Sequence, residues 1–374
     1  MSTRLDVDAI LADPHTDIVV CCGAGGVGKT TTAAALALRA AEQGRRVVVL
    51  TIDPARRLAQ SLGLTELDNT PRPVTGIDTT AGGSLDAMML DMKRTFDEVV
   101  IAHSAPDKAE QILANPFYVA VSSSFAGTQE YMAMEKLGQL HQQGDWDLIV
   151  VDTPPSRSAL DFLDAPKRLG SFLDGRFIRL LTAPAKVGGR ASLKVFNVGI
   201  HFVSSTLSKV LGGDFLGDVA TFVGAMDTMF GGFRERAEVT YALLAQDSTA
   251  FLVVAAPERD ALREAAFFVE RLESEGMPLA GLVLNRVQQV QAPGLSAARA
   301  RAGSAERAEE GDALTAGLLT VHADRAETAA RQRALARRFD LGHPATPVTQ
   351  VPALAEDVHD VEDLRTVGAA LAAR

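Results

Sequence analysis

Cysteine is almost absent from this sequence of 374 residues, which contains only Cys21 and Cys22. A disulfide framework is therefore excluded. The two residues are adjacent in an apolar run, and neighbouring side chains of a strand point to opposite faces, so the thiols cannot bind one metal ion together. We interpret both as small buried apolar residues and predict a reducing, cytoplasmic location.

The sequence also lacks an excess of basic residues and a long hydrophobic run. Its 37 Lys and Arg residues are outnumbered by 47 Asp and Glu residues, which gives a formal net charge of −10 and argues against a nucleic-acid partner. The uncharged apolar stretch Val195–Ser208 is too short to span a bilayer. The polar N-terminus has no signal-peptide core. We predict a soluble protein without stable membrane insertion.

What the sequence does contain is a phosphate-binding pattern between a strand and a helix. Residues Gly23–Thr30 read GAGGVGKT and match G-x-x-x-x-G-K-[ST]. In such a loop the backbone N–H groups and the helix N-terminus bind phosphates. We expect Lys29 to reach the outer phosphate oxygens and the Thr30 hydroxyl to bind Mg²⁺. The residues predicted to bind the nucleotide here are Gly25, Gly26, Val27, Gly28, Lys29, Thr30 and Thr31.

Continuously apolar runs alternate with helical stretches along the chain, as in a parallel sheet covered on both faces. Helices are predicted over Thr31–Gln43 and Arg259–Ser274. The pattern predicts an α/β fold with a doubly wound, mostly parallel sheet. Together with the phosphate-binding loop, it predicts the fold of a P-loop NTPase in one domain over residues 1–374. The predicted strands are Ile18–Cys22, Val47–Ile52, Leu148–Asp152, Ala250–Ala256 and Gly281–Asn285.

Three stretches interrupt this alternation. Residues 85–144 are interpreted as helical and Met-rich, and residues 165–247 as more apolar still, with a stripe at spacings of three and four between Phe215 and Phe233. We predict that both are helical insertions that form an apolar subdomain. Residues 291–342, rich in Ala, Arg and Glu, are predicted to be a solvated helical arm or hairpin.

Two predicted strands end at an acidic residue. Asp53 follows the second strand and can orient the water that attacks the γ-phosphate; an N-cap of a helix that starts at Pro54 fits its position equally well. Asp152 ends the third strand, where it can orient Mg²⁺ through water, and a turn-capping role is the alternative. The next residues, Thr153–Arg157, are stiffened by two prolines and can move as a unit.

Asn285 follows the last predicted strand. Its amide can both donate to and accept from an adenine edge, although a simple turn residue is the alternative. The guanine-reading motif [NT]-K-x-D does not occur in the sequence. Together these observations favour ATP over GTP.

Four motifs together resemble one family of ATPases: Gly25–Thr31, Thr51–Ala55, Val150–Pro155, and Pro257-Glu258 before a helix. The chain resembles the anion-pump ATPase ArsA and the ATPases that target tail-anchored membrane proteins. Both lie within a larger group that includes septum-site and chromosome-partitioning ATPases. The resemblance extends from about residue 17 to the segment that ends at His359.

The resemblance implies an ATP-hydrolysing switch that dimerises face to face around its nucleotide. It assigns catalysis to Lys29 and Asp53, Mg²⁺ to Thr30 and Asp152, and adenine to Asn285 together with Pro352 in a loop. Residues 165–247 lie where the targeting members build a groove for hydrophobic clients. An ordinary subdomain core is an equally good interpretation of that stretch.

The sequence departs from the family pattern in ways that bear on activity. Ala24 stands where the family has a lysine that crosses the dimer to the partner's nucleotide. Such a group is worth about 10³–10⁵ in rate, so we predict weak hydrolysis by a homodimer, unless Arg56, Arg57 or Arg157 substitutes, and favour a heterodimer with an unlike homologous subunit that bears the lysine. The second-switch Gly-His is replaced by Arg157-Ser158.

Two cysteine motifs of the family are also missing. The zinc-binding Cys-x-x-Cys of many targeting members is absent, so we predict no zinc. The arsenite-binding cysteines are absent too, which argues against metalloid transport. The leading interpretation is an ATP-dependent switch that handles hydrophobic membrane segments. The alternatives are a regulatory subunit that binds nucleotide with little turnover and a partitioning or positioning ATPase, which the acidic, then Ala-rich, C-terminus fits poorly.

Overall fold

A single eight-stranded sheet contains the strands of the described part of the chain. The computed structural model describes residues 3–53, 57–115, 118–119, 122, 128–154, 232 and 235–373. The strand order is β3-β4-β2-β5-β1-β6-β7-β8, and all neighbours are parallel except β3 and β4. The strands are β1 (Ile18–Cys22), β2 (Arg46–Thr51), β3 (Arg72–Pro73), β4 (Ser84–Met89), β5 (Leu148–Asp152), β6 (Thr249–Ala255), β7 (Leu279–Val287) and β8 (Val348–Pro352).

The middle of the sheet is formed by the apolar runs that the sequence predicts. Every residue of β1, β5 and β6 is buried, because parallel strands of this kind are covered on both faces. β1 lies between the other two, with Ile18 paired to Ile149 on one side and to Thr249 on the other. The α/β, mostly parallel fold class is therefore confirmed. Cys21 and Cys22 lie in β1 with no exposed surface.

Helices connect the strands. α2 follows β1 directly and buries a face made largely of alanine, which lets the helix approach the sheet closely. The helices with described ends are α1 (Val7–Ala12), α2 (Lys29–Glu42), α3 (Arg57–Ser61), α4 (Met92–His103), α5 (Pro106–Leu113), α6 (Thr128–Gln143), α7 (Arg259–Ser274), α8 (Ala297–Glu309), α9 (Ala313–Gly342) and α10 (Val361–Ala372). None of the helices in the described ranges is long and apolar enough to cross a membrane.

Two sequence predictions of local structure are wrong. The stretch 85–144 is not helical throughout, because its start belongs to strand β4, which pairs with β2 and buries Leu85, Ala87 and Met88. Residues 351–352 are not a loop, because they end strand β8, where Pro352 is paired with Val287. Both strands mix polar with apolar residues, so neither forms the continuous apolar run used to find the others.

The chain divides into two compact units. One comprises Met1–Met89, Gln143–Leu160 and Leu243–Arg374 and contains the whole sheet; the other comprises Leu90–Gln142 and Asp161–Ala242. In the second unit, Arg236 forms an ion pair with Glu135, whose side chain is 3% exposed. The predicted insertion at 165–247 lies outside the described residues except for residues 232 and 235–247, of which 235–244 are helical.

In the first unit, α8 and α9 pack together where the sequence predicts a solvated arm or hairpin. The Ser304 hydroxyl donates to the Ala316 carbonyl across the pair at 2.8 Å. Arg301 bridges from α8 to Asp324 and Glu327 on α9, in contacts exposed to solvent.

Candidate nucleotide site

The glycine-rich loop lies at the carboxyl end of β1. On one side of β1 lie β5, β2 and β4, and on the other lie β6, β7 and β8, so β1 is at the switch point of the sheet. Ligands of such sheets bind at this point. Gly26 and Gly28 have φ angles of 74° and 95°, in the left-handed region that glycine adopts without strain. A Cβ atom on Gly28 would clash with the Asn285 side chain. The α2 helix then begins at Lys29, so its N-terminus opens on the loop.

Lys29 is held inside this loop. Its Nζ atom donates to the Ala24 carbonyl oxygen at 2.9 Å, and only 5% of the residue is exposed. Burial lowers the pKa of Lys29, while the nearby Asp152 acts against that change. Its acceptor Ala24 is a neutral carbonyl, so a negatively charged phosphate oxygen, which binds an ammonium group more strongly, can replace it.

Asp152 is the buried acidic residue of the site. One carboxylate oxygen, Oδ2, accepts hydrogen bonds from the Thr30 and Thr51 hydroxyls, both at 2.8 Å. The other, Oδ1, is buried without a hydrogen-bond partner among the described residues. Burial raises the pKa of Asp152 to about 6, although both threonine hydrogen bonds oppose the rise. A buried oxygen of this kind calls for a cation or a water molecule that the protein itself does not supply.

The donor set around Asp152 fits Mg²⁺. The ion prefers oxygen ligands and is usually held by one or two carboxylates, phosphates and water rather than by a cage of protein groups. Thr30 supplies a hydroxyl oxygen and Asp152 a carboxylate oxygen at the same place. Within the described ranges, no cluster of three or more His, Cys, Asp and Glu side chains is arranged to hold a metal ion.

Asp53 lies just after β2 and lines the same cavity as Lys29 and Thr30. Its backbone N–H donates to the Thr51 hydroxyl at 3.2 Å, which ties it to the residue that also contacts Asp152. The alternative of a helix that Asp53 caps at Pro54 concerns residues outside the described ranges.

Asn285 lies beside the phosphate loop, and its hydrogen bonds in the structure are with protein groups. Its Nδ2 donates to the Val27 carbonyl at 2.9 Å, and its Oδ1 accepts from the Arg286 N–H at 2.9 Å. The Arg286 guanidinium donates to the Gly26 carbonyl at 3.0 Å. Among the described residues, Arg286 is the only non-glycine residue with a positive φ, 60°.

Most of the predicted site residues line one cavity of about 800 Å³. Gly26, Gly28, Lys29, Thr30 and Thr31 form its phosphate end. Its wall includes Asp53, Arg57, Gln60, Ser61, Asn285, Arg286, Val351, Pro352, Ala353, Leu354, Glu356, Asp357, Val358, His359 and Val367.

Three features of the site are not predicted from the sequence. Thr51 belongs to one of the four family motifs, but only the structure shows that its hydroxyl donates to Asp152. Arg286 gives no signal except that it follows Asn285. The segment from Ala353 to His359 enters the wall because it follows the edge strand β8. Thr153 is buried and donates to the Cys21 carbonyl at 2.8 Å, whereas residues 155–157 of the predicted second switch lie outside the described ranges.

A parallel sheet whose switch point carries this loop, with a lysine inside it and a strand-end aspartate beneath it, is the architecture of a P-loop NTPase. Comparison with known families agrees: residues 16–302 match the family described as anion-transporting ATPase. The chain belongs to that family. Membership implies ATP as the nucleotide, ATP hydrolysis and Mg²⁺.

Individual relatives cover different shares of the chain. A protein named putative arsenical pump-driving ATPase 2, from Aquifex aeolicus, is 23% identical over 271 residues, which are 71% of this chain and 78% of the relative. ATPase ARSA2 of Chlamydomonas reinhardtii is 26% identical over 271 residues, 71% of this chain and 66% of the relative. ATPase GET3 of Malassezia globosa is 29% identical over 154 residues, 40% of this chain and 43% of the relative.

Proposed function

We propose that this chain is an ATP-driven molecular switch whose reaction takes place in the cavity at the carboxyl end of β1. The observation that carries the proposal is the arrangement around Asp152. One carboxylate oxygen of Asp152 accepts a hydrogen bond from the Thr30 hydroxyl of the phosphate loop. The other carboxylate oxygen is buried with no hydrogen-bond partner among the described residues. A charged, half-satisfied group of this kind is costly to the fold, and such groups concentrate at functional sites.

Each residue at the phosphate end has a distinct part in the proposed reaction. Lys29 exchanges the Ala24 carbonyl for phosphate oxygens and stabilises the charge that develops on them. Thr30 and Asp152 would hold Mg²⁺, the aspartate through water; when bound, the ion neutralises negative charge on the phosphates. Asp53 orients the attacking water from the first-switch position. Pro352 lines the same cavity and would lie beside the base.

The experiment that tests this proposal is ATP binding and hydrolysis by the purified full chain. We expect saturable binding of a fluorescent ATP analogue that Lys29→Ala abolishes. Lys108→Ala, which changes an exposed lysine on α5, is the matched control and should leave binding unchanged. Asp53→Asn should still bind ATP, while the rate falls by about 10²–10⁴-fold. Binding that survives Lys29→Ala would refute the site.

We further propose that the chain works as a heterodimer with a homologous subunit that bears the missing lysine. Ala24 supports this, because its side chain is buried in the core and offers no cation to a partner's nucleotide. The chain alone should therefore hydrolyse ATP slowly, and a lysine-bearing homologue should raise the rate by about 10³–10⁵. Brisk turnover by the isolated chain would contradict the pairing. Loss of that turnover in Arg57→Ala would then identify the substitute cation, since Arg57 lines the cavity.

The proposed clients of the switch are hydrophobic segments of membrane proteins. The support is the apolar composition of residues 165–247 and its stripe between Phe215 and Phe233. Crosslinking of the full chain to an apolar peptide, with and without ATP, tests the idea. Slow hydrolysis with any partner and no crosslinking would instead favour a nucleotide-binding regulatory subunit.

A further inference from the structure

We propose that the side chains of Asn285 and Arg286 form a clamp that holds the phosphate loop in its anion-binding conformation. The proposal depends on the proposed ATP site, because it concerns how that site is shaped before the ligand arrives. It assigns to both residues a positioning role on the loop rather than a contact with the base.

The clamp consists of two hydrogen bonds from consecutive residues to consecutive carbonyls. Asn285 Nδ2 donates to the Val27 carbonyl at 2.9 Å, and Arg286 Nη1 donates to the Gly26 carbonyl at 3.0 Å. The donors lie near the end of β7 and the acceptors in the loop after β1, about 260 residues apart in sequence. Such a pair fixes the positions of both peptide groups relative to the sheet.

Fixing these carbonyls also fixes the N–H groups that a phosphate would use. A trans peptide is planar, with its C=O and its N–H pointing in opposite directions. The bond to the Gly26 carbonyl therefore turns the Val27 N–H away from the clamp, and the bond to the Val27 carbonyl does the same for the Gly28 N–H. Successive N–H groups that point one way make an anion-binding concavity. Glycine peptides rotate easily, so a loop held in advance loses less entropy on binding.

The backbone at Arg286 supports a positioning function. Its φ of 60° is in the left-handed region, which is unfavourable for a residue with a Cβ atom. The pairing of β7 with β8 is irregular at this point, between Leu284 and Val287. Strained conformations of this kind persist where the surrounding structure imposes them, and they cluster at ligand sites. Here the irregular backbone places the guanidinium within hydrogen-bond reach of the loop.

The contacts of Asn285 favour the clamp over a base contact. Its amide nitrogen donates to the Val27 carbonyl, and its amide oxygen accepts from the Arg286 N–H. The residue is only 8% exposed, and Gly28 approaches it so closely that a Cβ would clash. An amide that holds the loop affects the binding of any ligand with a triphosphate, whatever its base.

Inorganic tripolyphosphate provides the decisive probe, because it has the phosphates of ATP but no base. We would measure the affinities of the full chain for ATP and for tripolyphosphate, each with Mg²⁺, by calorimetry. Arg286→Gly suits the left-handed backbone but removes the donor, and Asn285→Ala removes the other donor. Each substitution should lower the affinity for both ligands by the same factor, about tenfold. This is the usual effect of losing one hydrogen bond from a charged or buried donor. Arg286→Lys keeps a donor and should restore most of the affinity.

The outcomes separate the clamp from its rivals. A loss confined to ATP would show a base contact and overturn the clamp, as would unchanged affinity for both ligands. A loss in Arg286→Gly that disappears at high ionic strength would show plain charge attraction instead. If the wild-type chain binds neither ligand, the proposed function fails, which is a different result. Thermal unfolding of each variant confirms that the chain remains folded.

Discussion

Replacing Asp152 with asparagine removes a charge from the interior of the sheet and should reveal what that charge costs. Burial raises the pKa of Asp152 from its ordinary value of 3.8 to about 6. This is a rise of about two pKa units, and each unit corresponds to about 1.4 kcal/mol. The ionised carboxylate therefore lowers the free energy of unfolding of the nucleotide-free chain by about 3 kcal/mol at pH 8.

The direction of the pH dependence follows from proton linkage. The folded carboxyl binds its proton more tightly than the unfolded one, so the fold gains stability as the pH falls. The cost is complete above the folded pKa of about 6, shrinks below it, and is gone below 3.8. From pH 8 to pH 5 about half of it is relieved, roughly 1.4 kcal/mol. Asp152→Asn lacks this relief, so its stability relative to the wild type should be greater at pH 8 by that amount.

Urea unfolding at pH 8 and pH 5, without nucleotide or Mg²⁺, measures this difference. The fluorescence of Trp146, the single tryptophan, reports on the unit that contains the sheet. Asp147→Asn is the matched control: a hydrogen bond from Arg46 lowers the pKa of Asp147, so its carboxyl stays ionised over this range. An Asp152→Asn difference that is equal at the two pH values would refute the reasoning. The same variant should also lose the Mg²⁺-dependent part of its stabilisation by ATP.

Three further predictions follow from named contacts. Gly28→Ala should abolish ATP binding, measured by calorimetry, because φ is 95° and a Cβ would clash with the neighbouring amide. Thr51→Val removes one of the hydrogen bonds that lower the pKa of Asp152, so the acid limb of the ATPase pH profile should move to higher pH. Phe268→Ala should cost about 3–5 kcal/mol in urea unfolding, since Phe268 is fully buried on α7. Its neighbour Phe267 is 50% exposed, and Phe267→Ala should cost much less.

Strands with a continuous apolar run could be predicted from the sequence, including β7 next to the edge strand, whereas β4 and β8 could not. The runs in β1, β5 and β6 are continuously apolar because both faces of these strands are buried from solvent. β8 is an edge strand that exposes Gln350, and β4 begins with an exposed Ser84, so their sequences carry no uninterrupted apolar signal. The Met-rich end of β4 is compatible with a helix in its sequence, and its pairing with β2 makes it a strand.

The candidate site also has a part that could be predicted from the sequence and a part that could not. The phosphate loop is local, so eight consecutive residues and their flanks were enough to locate it. Contacts such as Thr51 with Asp152, or Arg286 with Gly26, join residues 101 and 260 positions apart. Hydropathy periods and short motifs describe neighbours along the chain, so they could not show these pairs. The roles of the predicted residues in binding and catalysis stay predictions.

The buried pair of cysteines in β1 makes this chain convenient for chemical labelling. Burial raises the pKa of Cys22 to about 12 and also raises the pKa of Cys21. In the folded state both thiols are therefore protonated and inaccessible to alkylating reagents. One cysteine introduced at the exposed Leu314 would therefore carry a fluorophore as the sole reactive site. The slow modification of the native pair would, in turn, time how often the central strand opens beside the phosphate loop.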